Sequence, residues 1–137
     1  MSVIKDLICT EEDGTLSFGN YELAEKAKRS DYEHDGDLYK VKTFAEITKL
    51  EKNGMFVYES VPGTAVNHFQ AGDTSVQFSV EGEKDAQITI QLEDEREYEV
   101  YVDGVSVGGM KTNVSGKLVL SVELNPGKAT AIRIEAR

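Results

Sequence analysis

The sequence predicts an all-β domain, and three observations carry that prediction. Apolar residues alternate with polar ones in short runs, turn-forming pairs separate the runs, and 39% apolar with 29% charged residues over 137 positions is the composition of a folded chain. The expected architecture is mainly β: a β-rich N-terminal subdomain over residues 1–62, then an antiparallel seven-strand β-sandwich of immunoglobulin-like type over residues 63–137. The boundary falls at Val61-Pro62-Gly63, because proline and glycine together stop a strand.

The N-terminal half is the less regular. Leu16 and Phe18, then Tyr21 and Leu23, flank Gly19-Asn20 and predict a tight hairpin. Residues 22–28 have room for one or two helical turns. Leu38–Phe44 reads as a strand through Tyr39, Val41 and Thr43. Residues 43–52 stay open between helix and strand, since Phe44, Ile47 and Leu50 fall at i, i+3 and i+6. Asn53-Gly54 is a turn, and Met55–Ser60 is the strand that follows it.

The C-terminal half alternates with period two. Val76, Phe78 and Val80 form one row, Ile88, Ile90 and Leu92 another, and Leu118, Leu120, Val122 and Leu124 the longest. Such rows mark half-buried strands. Seven are expected, over 64–69, 74–81, 86–92, 97–102, 105–110, 116–124 and 129–135. Asp103-Gly104 suits a two-residue type I′ hairpin, in which both turn residues take positive φ. All connections are short, so the sheets should be antiparallel. The chain has no tryptophan, so the immunoglobulin-like assignment rests on strand count.

Charge excludes some functions. Fifteen basic and 25 acidic side chains give a net charge of −10 and a pI near 4.6. Nucleic acid and anionic membrane surfaces both require clustered positive charge, so neither is an expected partner. The apolar residues near the N-terminus are interrupted by Lys5 and Asp6, which does not make a signal peptide, and no run approaches a membrane span. One cysteine, Cys9, permits no intrachain disulfide. The cytoplasm is the expected compartment.

Several motifs touch on chemistry. Gly104-Val105-Ser106-Val107-Gly108 fits G-x-S-x-G, but that elbow needs a strand-to-helix turn and a later histidine. Here His34 and His68 both come earlier, and Ser106 reads as an outward-facing strand serine. Asp31, Glu33, Asp35 and Asp37 occupy positions 1, 3, 5 and 7 of an EF-hand-like loop with Gly36 at position 6. Lys42 replaces the bidentate glutamate at position 12, so these four stand only as candidates for a looser calcium cage, and the segment reads first as a solvated acidic turn. No other metal set and no cofactor is expected. Glu93, Asp94, Glu95, Glu97 and Glu99 are read as solvated groups that blunt a strand edge, not as a glycosidase pair. Cys9 lies beside acids that disfavour its thiolate. His68 is expected to be a strand histidine with a local partner. Among the tyrosines, Tyr98 and Tyr101 have opposite parity in one strand and cannot share a face. No catalytic residue is assigned.

Two stretches carry a family resemblance. One runs from Gly36-Asp37-Leu38-Tyr39-Lys40-Val41-Lys42-Thr43-Phe44 through Asn53-Gly54-Met55-Phe56-Val57-Tyr58-Glu59-Ser60-Val61-Pro62-Gly63-Thr64, and the other from Tyr101-Val102-Asp103-Gly104 through Met110-Lys111-Thr112-Asn113 to Gly116-Lys117-Leu118. Together they resemble short uncharacterised bacterial proteins that often carry the label endosialidase. The C-terminal part is similar to the small β-sandwich modules appended to carbohydrate-active enzymes. The resemblance implies an association with carbohydrate and, for an enzyme, glycoside hydrolysis. The residues by themselves point to a non-catalytic interaction or assembly module, whose partner is an unknown protein or a glycan, or a second copy in a homo-oligomer. The alternative is a carbohydrate-binding or carbohydrate-active protein.

Overall fold

A computed structural model describes residues 3–137. Met1 and Ser2, part of the stretch read above for a leader, lie outside them. The protein is all-β, with two antiparallel sheets packed as a sandwich. Thirteen strands follow one 3-10 turn at Lys5–Leu7: β1 (Ile8–Thr10), β2 (Leu16–Phe18), β3 (Ala27–His34), β4 (Asp37–Phe44), β5 (Ile47–Lys52), β6 (Met55–Val61), β7 (Thr64–Ala71), β8 (Ser75–Gly82), β9 (Ala86–Gln91), β10 (Glu97–Val102), β11 (Val105–Lys111), β12 (Lys117–Val122) and β13 (Thr130–Ala136). The seven-stranded sheet has the order β1-β2-β7-β8-β13-β10-β11 and the six-stranded sheet β12-β9-β6-β5-β4-β3. Among the described residues, no helix is long and apolar enough to cross a membrane.

Both sheets draw strands from either side of Pro62. β1 and β2 extend the sheet that holds β7 and β8, while β9 and β12 extend the sheet that holds β3 to β6. One core cluster joins Phe18, Val41, Leu50 and Tyr58 to Val80, Ile88, Val100, Leu120 and Ile134. Burying each such side chain stabilises the fold by roughly 1.5–3 kcal/mol. The seven strands after Thr64 occur as the alternation predicts, and they divide between the two layers.

The N-terminal half departs from the sequence reading in three places. The hairpin expected at Gly19-Asn20 does not form, because β2 pairs with β1 and with β7 instead. Gly19 has φ +101 and sits so close to β7 that a Cβ would lie 2.4 Å from the Thr64 carbonyl oxygen. The helical turns allowed for 22–28 are absent, and Ala27–His34 is an edge strand. The helical alternative for 43–52 also fails: Phe44 ends β4, and Ile47 opposite it begins β5.

Asp35-Gly36, Asn53-Gly54 and Asp103-Gly104 each have positive φ at both positions, as type I′ hairpins require. The passage from β6 to β7 carries the chain from one layer to the other. Gly63 is required there, since a Cβ would come within 2.0 Å of the Phe44 carbonyl oxygen. Beside the crossover lies a buried hydroxyl network. Tyr58 OH and Ser60 Oγ each lie 2.8 Å from Thr64 Oγ1, and Thr48 Oγ1 donates to the Thr64 carbonyl at 2.8 Å while accepting from the Thr64 N–H at 3.0 Å. Thr43 Oγ1 joins at 2.8 Å from Thr48 Oγ1. Every buried polar side chain in this network has a partner, so the desolvation cost of each is met.

Candidate functional site: a cleft at one end of the sandwich

Alternating strand directions collect the β1–β2, β3–β4, β5–β6 and β7–β8 turns at the same end of the sandwich. There the layers part around a cleft of about 570 Å³. The seven-stranded layer contributes Asp13, Thr15 and Gln70, and the six-stranded layer contributes His34, Asp35, Asp37, Tyr39 and Asn53. Phe56, Val57 and Phe69 give it apolar surface. Phe69 belongs to an aromatic cluster in which it lies 5.7 Å from Phe18 and 5.6 Å from Phe78 between ring centroids.

Three register shifts border the cleft. They fall between Arg29 and Tyr32 in β3, opposite Leu50/Glu51 in β6, and between Asn67 and Gln70 in β7. A bulge bends its strand and turns side chains out of the regular alternation. Val57 and Gln70 reach the cleft wall from such positions, and His68 takes φ +57 within the third.

The polar groups are held by local bonds. Asp13 accepts from the Thr15 N–H at 3.0 Å and the Thr15 hydroxyl at 2.5 Å. Those two bonds, with a smaller contribution from His68, hold its carboxyl below the usual carboxylate range. Asp37 accepts from Asn53 Nδ2 at 2.9 Å and stands 3.6 Å from Lys52 Nζ. Tyr39 is half-buried, and burial followed by the fields of Asp37 and Asp35 pushes its phenol pKa up, so it stays a neutral donor. The cleft therefore presents carboxylates, a phenol and amides over an apolar floor. Lys52 also lines it beside Asp37, so Asp13, Asp35 and Asp37 outnumber one ammonium and the lining favours hydroxyl-rich or cationic ligands over anions.

Asp13, His68 and Thr15 have the residue types of a nucleophilic triad but not its geometry. Thr15 Oγ1 and Asp13 Oδ2 approach the same ring nitrogen, His68 Nδ1, at 3.0 and 3.2 Å. A relay places hydroxyl and carboxylate on different nitrogens. These three pin the β1–β2 turn to β7. The partner expected for His68 is thus Thr15 with Asp13, which no sequence spacing links to it.

The other motif residues are placed as follows. Asp31 and Glu33 lie along exposed β3, while Asp35 and Asp37 flank the hairpin glycine at the cleft rim. The four acids are spread over a strand and a turn, and among the described residues no three His, Cys, Asp or Glu side chains converge as metal ligands. Ser106 donates to Glu99 and accepts from the Gly108 N–H at 3.2 Å. Glu99 is not simply solvated as expected: it is half-buried, and the Ser106 hydroxyl and Arg137 hold its carboxyl below the usual range. Cys9 sits in β1, where burial and then Glu11 push its thiol up. Tyr98 is buried while Tyr101 faces outward beneath Arg133, as their parity requires. Sequence reasoning missed Asp13, Tyr39, Asn53 and Gln70 as cleft residues, since each is a single polar residue from a different segment. Comparison with known proteins finds no matching family model, curated sequence or solved structure.

Proposed function

We propose that the chain is a non-catalytic interaction module that binds through its end cleft, with a segment of neutral or basic glycan as the ligand. The observation that carries this reading is the cleft's make-up: about 570 Å³, within the range of ligand sites, with polar groups converging over Phe56, Val57 and Phe69. Sugar recognition uses this combination, with carboxylates and amides for hydroxyls and apolar surface for the ring face. The resemblance of the C-terminal part to modules of carbohydrate-active enzymes points the same way. The non-catalytic half of the reading rests on geometry: the Thr15 hydroxyl and the Asp13 carboxylate approach the same ring nitrogen of His68, which makes no proton relay.

A glycan array carrying neutral, basic and sialylated chains tests it. The expected result is retention of neutral or basic glycans, no retention of sialylated ones, and loss of signal in the Asp37→Ala, Asn53→Ala double variant. An array without hits, or hits unchanged in that variant, refutes it.

A further inference from the structure

The outer face of the six-stranded sheet has a charge pattern opposite to that of the chain. Strand register places Lys28 opposite Lys42, and Lys42 opposite Lys49. Three ammonium groups thus stand in one row across β3, β4 and β5, with strands about 4.8 Å apart. Lys40 stands beside this row, opposite Glu51. Like charges directly across a strand pair destabilise it. The row is also poorly compensated. Lys49 has Glu51 at 3.6 Å and stands opposite Glu59 of β6, where the row ends, but among the described residues neither Lys28 nor Lys42 forms an ion pair. Partial burial, then the fields of Lys26, Lys49, Lys28 and Lys40, lower the pKa of Lys42. Next to the row the same face carries an apolar strip: half-buried Phe44 and Ile47 in register, and exposed Val61.

The complement of this face exists on the same chain. The β9–β10 turn exposes Glu93, Asp94 and Glu95, and the β11–β12 turn beside it exposes Val114 at 77%. The two turns form one tip, with Glu95 N–H donating to the Asn113 carbonyl at 3.1 Å, Leu92 N–H to Gly116 at 2.7 Å, and Thr112 Oγ1 to the Glu93 carbonyl at 2.5 Å. Arg96 engages Glu93 at 2.6 Å, which leaves Asp94 and Glu95 outward without an ion pair among the described residues. The tip therefore pairs acid with an apolar side chain, as the face pairs ammonium with an apolar strip. Lys28 lies near the start of β3 and Lys42 near the end of β4, toward the end of the sandwich opposite the tip. One chain cannot bring its own two surfaces together.

We propose that the lysine row of one molecule docks the acidic tip of a second copy, so that the protein self-associates head to tail. Such a contact uses two different patches, and each complex leaves one of each kind free, so assembly continues until it closes or is capped. Lysine can engage this occupant, because each compact ammonium pairs with a single carboxylate such as Asp94 or Glu95. The apolar strip likewise matches Val114 and has no use in binding a polyanionic chain. The lysine row lies at the end of the sandwich away from the cleft, while the tip adjoins the cleft through Gln91, which lines it and donates to the Leu92 and Ser115 carbonyls; self-association needs no ligand in the cleft and stands without the glycan reading.

Charge exchange tests it, with all variants on the surface and folding checked by circular dichroism. Sedimentation velocity of the wild type should show concentration-dependent association that disappears in ~1 M salt, where the Debye length falls to about 3 Å. The variants Lys28→Glu, Lys42→Glu and Asp94→Lys, Glu95→Lys should each be monomeric alone. Mixed in equal amounts they should associate again, since each now complements the other. A wild type that stays monomeric, or either double variant that assembles as the wild type does, overturns the proposal. So does a monomeric wild type that binds polyglutamate, heparin or single-stranded DNA through the lysine row, since the face would then belong to a foreign polyanion.

Discussion

The outer faces of the two sheets solve the same electrostatic problem in opposite ways. On the seven-stranded sheet the arginines have anions: Arg133 bonds Glu135 at 2.6 Å and lies 4.1 Å from the Tyr101 ring centroid, while Arg137 bonds Glu99 at 2.5 Å and approaches Glu97 at 3.6 Å. On the six-stranded sheet Lys28, Lys42 and Lys49 stand next to one another. The arginines of the first face are satisfied within the molecule. The second stores repulsion that an external anion can release. A net charge of −10 thus describes the sum and conceals a face where the sign is reversed.

The largest effect comes from a lesion beneath both faces, which sets the scale. Thr64→Val leaves the buried Tyr58 and Ser60 hydroxyls without their shared partner at the crossover between layers. A loss of about 2–3 kcal/mol is expected in urea unfolding, nearly independent of salt. A paired substitution then separates the faces. Arg133→Ala should cost about 0.5–1 kcal/mol through the lost Tyr101 contact and Glu135 pair. Lys42→Gln should stabilise the protein by about 0.5 kcal/mol at low salt, and the gain should fade in ~1 M salt. Equal signs for the two substitutions would abolish the contrast.

The smallest effect is in pH. Glu99 has a folded pKa below its ordinary value, so its contribution is present above the usual carboxylate range and is lost as pH falls through the depressed folded value. Melting temperature followed from pH 6 downward should fall less steeply in Glu99→Gln than in the wild type. Lys42 acts at the alkaline end. Its folded pKa is also lowered, so its penalty is full below that value and is relieved as pH rises past the ordinary lysine range.

What could be read from the sequence followed from burial on one face only. The strands from Thr64 onward alternate because one side of each is in the core, and Asp103-Gly104 marks its hairpin by turn chemistry alone. β3 was illegible for the converse reason: at the sheet edge, bulged between Arg29 and Tyr32, its residues are exposed or only half-buried, so no period appears. β2 is buried at all three positions, which also erases alternation, and its partner β7 lies some fifty residues away. Phe44, Ile47 and Leu50 mimicked a helical period although they belong to two strands. The cleft and the lysine row depend on register. The separations between Lys28, Lys42 and Lys49 mean nothing until two hairpin turns and one bulge align them.

Strand β13 lies between β8 and β10, inside the seven-stranded sheet. On the ribosome, therefore, no nascent chain shorter than about residue 136 can close that layer, and β8 and β10 must wait with exposed hydrogen-bonding edges until Thr130–Ala136 emerges. Newly made protein spends its synthesis in a state open to strand invasion, and a molecule truncated anywhere before Thr130 stays in that state.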